Sequence, residues 1–559
     1  MRRIPRWTLA ASVLSAVLLD LPFPLAGPLP VWRTVFAWFA LVPLLVAVLR
    51  LADAGESRRW VLGWALGSGW LAGAVWFGLN CYWVYGTMHS YGDMGPALAA
   101  LCLVLFSLFL GIWFGVFAVA LALARMQLGR RGWGWLAVVA IPFLWVGMEL
   151  CLARVPNFPW DQLGDSMVDN ALLMRLVPWT GVYGVSFVLA GVNALFAASA
   201  ILPAGARGSV RVVCGLAAAV LAGVGLGGFA MKAPRPTVQA TAVLVQPNLD
   251  VVADNVWTPE RWNEEMAAFQ KLGGESCKQY IGGMPETGAP MGEVECGPSP
   301  EPPALVAWPE SPAPFRELDP RFQAAMAGIA KAERAPLLVG NVGMEEDEAS
   351  GQYRIFNSAS LVSADGHFAG RYDKMHLVPF GEYIPFRRLF FFAKQLTQNL
   401  EDLEPGAERK TFRVGAADGS VHRYGVFLCY ESVFADEVRQ FTRMGAEVLV
   451  NLSDDGWYGD TSAPWQHLNM ARMRAIENHR WILRDTNNGT TASIDPYGTV
   501  RQSIPRHRVD ALPAEFGYES DLTWYTEHGD VFAQVCAILS LALVVWSARS
   551  LLGQLAGRS

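Results

Sequence analysis

Long apolar runs occupy both ends of the chain, and short apolar segments alternate with polar ones between them. Residues 34–49, 60–92, 96–124, 132–148, 176–206, 212–231 and 531–548 contain no Asp, Glu, Lys or Arg. A helix needs about 20 mostly apolar residues to cross a bilayer, so these runs predict membrane spans. The stretch from Trp7 to Leu25 adds a weaker one, interrupted by Asp20, Pro22 and Pro24. Arg2, Arg3 and Arg6 before it resemble the start of a signal peptide, but no good small-residue cleavage site follows, so it reads as an anchor. That makes eight spans. Six long charge-free runs in one chain exclude ordinary buried core helices as a general explanation.

Between the spans the period changes. Residues 237–246, 304–308, 337–342, 357–363, 422–429, 446–452 and 491–494 are short, apolar and mostly β-branched, and several stop at Pro or Gly. Segments 320–333, 433–444 and 464–480 between them read as helices. This alternation predicts an α/β domain with helices covering the sheet. The chain thus divides into a membrane domain (1–231, seven spans), an extracytoplasmic domain (232–529) and an eighth span with a cytoplasmic tail (530–559).

Composition agrees. Of 559 residues, 52% are hydrophobic and 17% charged, too apolar for a disordered chain or a wholly soluble one. The formal net charge of −6 offers no basic field for nucleic acid. Arginine sets the orientation. With the N-terminus in the cytoplasm, Arg2, Arg3, Arg6, Arg50, Arg58, Arg59, Arg125, Arg130, Arg131, Arg207, Arg211, Arg549 and Arg558 fall inside, and only Arg33, Arg154 and Arg175 outside. The domain 232–529 then faces away from the cytoplasm.

Parallel strands carry reactive groups at their carboxyl ends. Glu310 follows the strand 304–308, Cys429 ends the strand 422–429, and Lys374 sits in Arg371-Tyr372-Asp373-Lys374-Met375-His376. Each alone is ordinary: a small core residue, a turn carboxylate, a surface cation. Together they can run acyl transfer through a thioester. A thiolate is the nucleophile, a desolvated carboxylate can take its proton, and a fixed ammonium can hold an oxyanion, helped by the Tyr430 N–H. The eight Cys form no CxxC pair, and His376, His467 and His479 match no zinc spacing, so neither a metal nor another cofactor is expected.

Trp308-Pro309-Glu310, the segment from Tyr372 to Glu382, and Cys429-Tyr430-Glu431 resemble the carbon–nitrogen hydrolase (nitrilase) superfamily, which uses a Glu-Lys-Cys triad on an αββα sandwich. With the multispan segment before and the span after, nearly the whole chain resembles the bacterial apolipoprotein N-acyltransferases. Asn157-Phe158-Pro159-Trp160, Gln246-Pro247-Asn248, the segment Asn451 to Gly459 and Pro464-Trp465-Gln466-His467 carry the same likeness. The resemblance implies an enzyme of the bacterial inner membrane with its catalytic domain on the periplasmic side. It would move an acyl chain from a membrane phospholipid, through a thioester on Cys429, to the amine of a diacylglyceryl-cysteine apolipoprotein. Glu310 would be the base, Lys374 the oxyanion cation, and Glu382 the carboxylate that positions Lys374. Tyr430 and Glu431 would flank the nucleophile, and Trp257 would lie near the lipid entrance. A membrane-anchored amidase using the same triad, and a catalytically silent scaffold, are the alternatives. Residues 386–396, with Phe390, Phe391 and Phe392 beside Arg387, Arg388 and Lys394, read either as an arm dipping into headgroups or as a buried helix with a basic edge. Residues 273–303 read as an insertion rich in Gly, Pro and Glu, in which Cys277 and Cys296 can form a disulfide in an oxidising compartment.

Overall fold

The computed structural model describes residues 6–201, 223–231, 233–251, 259–277, 296–298, 302–310, 315–347, 351–383, 403–416 and 418–556, with isolated positions between 212 and 219. Six helical segments are long and apolar enough to cross a membrane: Val31–Ala52, Arg58–Asn80, Pro96–Arg130, Leu136–Arg154, Val182–Ile201 and Val531–Arg549. They match six of the eight expected runs. The first run forms the helix Arg6–Asp20, of 15 residues, and the run 212–231 is described only in part, with 223–230 helical. The run 60–92 stops being one helix at Asn80 and continues as the short turns Trp83–Gly86 and Thr87–Tyr91. The spans pack through small residues. A Cβ added at Gly73 would lie 2.8 Å from the Gly111 Cα, so the helices Arg58–Asn80 and Pro96–Arg130 approach backbone to backbone.

The second half forms two six-stranded sheets. The first comprises β1 (Ala240–Gln246), β4 (Leu305–Trp308), β5 (Leu337–Glu346), β6 (Tyr353–Val362), β7 (Phe368–Asp373) and β14 (Asp510–Phe516), in the order β14-β1-β4-β5-β6-β7. The second comprises β8 (Thr411–Gly415), β9 (Val421–Leu428), β10 (Val448–Ser453), β11 (Ile482–Thr486), β12 (Thr491–Ile494) and β13 (Val500–Ile504), in the order β13-β12-β11-β10-β9-β8. β1, β4 and β5 run parallel, as do β9, β10 and β11.

Alternation along the strands makes the layers. Ala242, Leu244, Leu305 and Ala307 join one buried cluster with Tyr424, Val426, Val448 and Val450 of the other sheet. Their neighbours Val243, Val245, Val306 and Trp308 face the opposite way, into a cluster with Phe269, Phe322 and Met326. Those last three lie on the helices Pro259–Gly274 and Pro320–Glu333, which cover the first sheet. The helices Ala435–Arg443 and Ala463–Asn478 belong with the second sheet through Val438, Phe441, Leu468 and Ala471. The result is the αββα sandwich expected from the sequence. Within the insertion, β2 (Glu275–Cys277) and β3 (Cys296–Pro298) pair antiparallel with Cys277 opposite Cys296. Residues 278–295, Trp257 and the 386–396 segment lie outside the described residues.

Candidate active site

The sequence-predicted trio meets at one end of the sandwich, where β4, β7 and β9 finish. Glu310 stands two residues beyond β4, Lys374 follows β7 directly, and Cys429 follows β9. All three are buried, at 5%, 1% and 5% exposure, so their mutual electrostatics are poorly screened by water.

Lys374 is the centre of the charge arrangement. Its Nζ donates to Glu310 Oε1 at 2.8 Å and to Glu382 Oε1 at 2.9 Å. Asn357, on β6, donates from Nδ2 to the same two oxygens, at 2.7 and 2.6 Å. The second oxygens are also held: the Asp454 N–H donates to Glu310 Oε2 at 3.0 Å, and the Val378 N–H to Glu382 Oε2 at 2.7 Å. Burial opposes the lysine charge, but the Glu310 and Glu382 carboxylates outweigh it, so the Lys374 pKa stands well above the usual lysine range. The expected pairing of Glu382 with Lys374 is present. Asn357 was not picked out from the sequence, where an Asn inside an apolar strand carries no local signal.

Cys429 has φ +42°, a left-handed conformation that costs a non-glycine residue on the order of 1 kcal/mol or more. The strand ends there and a 3-10 turn, Cys429–Val433, begins. Glu431 pins this corner. Its carboxylate accepts from the Leu428 N–H (2.7 Å), the Met375 N–H (2.7 Å), the His376 N–H (3.2 Å) and the Tyr372 hydroxyl (2.7 Å). One buried side chain thereby ties the Cys429 turn to the lysine loop. Burial first, then the Glu310 carboxylate, push the Cys429 thiol well above its ordinary range, while Lys374 pulls it down. At neutral pH the resting sulfur therefore keeps its proton.

Several contacts join the membrane half to the sandwich. The Tyr430 hydroxyl donates to the Asn157 carbonyl at 3.3 Å. The Trp83 ring lies 4.8 Å from Trp160 and 5.2 Å from Tyr458. Ser462 N–H donates to the Tyr82 hydroxyl at 3.1 Å, and Arg154 pairs with Asp436 at 3.0 Å and with Asp530.

Residues 15–195 match the family model described as the apolipoprotein N-acyltransferase N-terminal domain, and residues 283–508 match the carbon-nitrogen hydrolase model. An apolipoprotein N-acyltransferase of Geobacter metallireducens is 32% identical over 545 residues, covering 95% of this chain and 94% of that protein. The chain belongs to the apolipoprotein N-acyltransferase family. A second relative bearing that name, from Brucella melitensis, is 28% identical over 523 residues, 91% of each chain. Among solved structures, Saccharomyces cerevisiae Nit3, of the nitrilase superfamily, is similar at 15% identity and a TM-score of 0.33, covering 54% of this chain and 97% of that one. At that score the sandwich stands on its own sheet order.

Sequence reasoning about this apolipoprotein N-acyltransferase family member missed a buried network behind Cys429. Asp455 accepts from His467 Nδ1 at 2.9 Å and Arg484 Nη2 at 2.7 Å, and sits beside Ser453 Oγ at 3.0 Å. Burial would raise Asp455, but Arg484 and His467 hold its carboxyl well below the usual range. Its neighbour Asp454 goes the other way: burial and the Glu310 charge push it up to about 8. Among the described residues, one cluster brings three metal-capable side chains within 4.8 Å: His479, Glu519 and Asp521. There Asp521 pairs with His479 Nδ1 at 2.8 Å.

Proposed function

We propose that this protein is an N-acyltransferase of lipoprotein maturation that carries the acyl group on Cys429. One observation carries the reading: a buried ammonium, Lys374, clamped between two carboxylates, stands within electrostatic reach of a cysteine on a left-handed turn. The relatives' shared name supplies the class of acceptor.

In the first half-reaction Glu310 takes the Cys429 proton as the sulfur attacks the ester carbonyl of a phospholipid. The negative charge on the carbonyl oxygen is met by Lys374 Nζ and the Tyr430 N–H. The intermediate collapses, the C–O bond breaks, and Glu310 returns the proton to the departing lysophospholipid. In the second half-reaction the amine of a diacylglyceryl-cysteine apolipoprotein attacks the thioester carbonyl and Glu310 takes an amine proton; the C–S bond then breaks, and Glu310 returns that proton to the departing Cys429 sulfur. Glu382 and Asn357 keep Lys374 aimed, and Glu431 keeps the turn and the lysine loop in register. Because the thiol is held protonated, deprotonation and attack are coupled events, and no free thiolate waits to be oxidised.

The site belongs on the periplasmic face of the inner membrane, with 1–231 and 530–559 as membrane domains flanking the catalytic one. Support comes from the arginine asymmetry and from exposed tryptophans at both levels: Trp32 and Trp179 on the outer side, Trp133 and Trp135 on the inner.

The test is incubation of the pure protein with radiolabelled phospholipid, followed by a diacylglyceryl peptide. A hydroxylamine-labile label on Cys429 that chases onto the peptide is the expected result. Release of free fatty acid without peptide labelling would convert the assignment to a hydrolase.

A further inference from the structure

The helix Ala463–Asn478 carries two adjacent side chains that face different partners. Gln466 faces the membrane half. Its Oε1 accepts from Trp160 Nε1 at 2.9 Å, and its Nε2 donates to the Asn80 carbonyl at 3.1 Å. His467, with no exposed surface, faces the nucleophile turn. Its Nε2 lies 2.6 Å from Ser432 Oγ and 3.0 Å from the Cys429 carbonyl oxygen.

Nδ1 lies 2.9 Å from the Asp455 carboxylate and 3.1 Å from Arg484 Nη2, which itself pairs with Asp455 at 2.7 Å. Nε2 reaches both the Ser432 hydroxyl and the Cys429 carbonyl of the turn. Ser432 is the fourth residue of the turn that Cys429 begins. The Trp160 ring lies parallel to the imidazole at 6.0 Å and 13°, and Tyr458 closes against it at 6.0 Å and 73°. The imidazole is therefore fixed at both nitrogens and on one face, with no freedom to relax if a neighbour is removed.

We propose that His467 is a positioning residue for Cys429, and that Trp160 and Gln466 couple it to the membrane half. Resting on the thioester role of Cys429, the idea assigns His467 no contact with either substrate. It holds the base of a left-handed turn through Ser432, while Trp160 holds the ring. A nucleophile displaced by about 1 Å loses on the order of 100-fold in rate. The membrane half would then set the catalytic sulfur in place as well as anchoring the domain.

The test uses the full-length protein in lipid nanodiscs and follows single-turnover thioester formation on Cys429 across a range of labelled phospholipid. His467→Leu should lower the saturating rate about 100-fold with half-saturation within twofold of wild type. His467→Gln, whose carboxamide can still hydrogen-bond Ser432, should recover at least tenfold of that loss. Trp160→Leu should lower the saturating rate about tenfold. A Leu variant within threefold of wild type, a loss confined to half-saturation, or a Gln variant no better than Leu would overturn the positioning role. Should the Leu variant not fold, a Gln variant as slow as Cys429→Ser overturns it equally. An unchanged Trp160→Leu rate overturns the coupling. A wild-type protein that forms no thioester at Cys429 would instead defeat the function on which the inference rests.

Discussion

Glu382→Gln isolates the proposal that Glu382 positions Lys374 while leaving Glu310 and Cys429 untouched. Three contacts decide the magnitude. Glu382 Oε1 accepts from Lys374 Nζ at 2.9 Å and Asn357 Nδ2 at 2.6 Å, while Oε2 accepts from the Val378 N–H at 2.7 Å. A glutamine can keep its oxygen toward Lys374 and Asn357 only by turning its NH2 onto the Val378 N–H, donor against donor. Leaving that N–H unpaired costs about 1–3 kcal/mol, and the surviving bond to Lys374 loses its charge assistance. Flipping the amide restores Val378 and loses both other bonds. Either way about 2 kcal/mol falls on the lysine clamp, which corresponds to roughly 30-fold in rate if the oxyanion depends on it. The assay is quench-flow formation of the Cys429 thioester at saturating phospholipid, with melting temperature as a control for global damage. A rate within threefold of wild type, or a deficit seen only at low phospholipid, would refute the clamp.

Further outcomes follow from the same geometry. Cys429 alkylation by iodoacetamide should stay slow at neutral pH and accelerate only well above pH 9, because burial and Glu310 hold the thiol protonated; rapid labelling at pH 7 would show a free thiolate. Asp454 takes up a proton on folding, since its folded pKa of about 8 lies above the ordinary 3.8. Its contribution is fully present below pH 3.8 and is lost as pH rises through 8, so Asp454→Asn should flatten the fall in melting temperature between pH 4 and 8. Cys277 and Cys296, opposite each other in β2 and β3, should map as one cross-linked peptide in non-reduced digests of protein from an oxidising compartment. Glu431→Gln should slow thioester formation and lower the melting temperature together, because its carboxylate accepts from both the Leu428 and Met375 N–H groups; normal values of both would dismiss its bracing role.

The strands that sequence reading found and those it missed differ in one physical respect. β1, β4, β5, β9 and β10 lie inside their sheets and each carries a run of buried apolar residues, visible without any structure. β7, β8, β13 and β14 each end a sheet. One side of each is unpaired, and their sequences carry Gly370 and Arg371, Arg413, Arg501, and Pro513. Pro513 inside a strand argues against a central position, and it sits on an edge, where a missing N–H costs nothing. β11 is the informative exception. It is central and wholly buried, yet Arg484 and Asp485 interrupt its apolar character. Arg484 sits there because Asp455 and Asn451 receive it, and those partners lie in a different strand and turn.

Glu310, Lys374 and Cys429 were legible because each stands in a local motif at a strand end, as were Glu382, Tyr430 and Glu431 within the same motifs. The supports from elsewhere were not, because they are defined by distance across the fold. Asn157 and Trp160 stand about 270 and 310 residues before their partners Tyr430 and Gln466. No period or spacing within either segment records that meeting. The membrane half was legible as spans, from the cost of placing charge in hydrocarbon. That reading says where the helices lie and nothing about the loop 155–170 that returns toward the sandwich. If the loop serves only as a connector, replacing Trp160 leaves chemistry at Cys429 unchanged. If it is part of the site, the rate falls while the spans stay intact, and the boundary between anchor and enzyme has to be drawn through the loop.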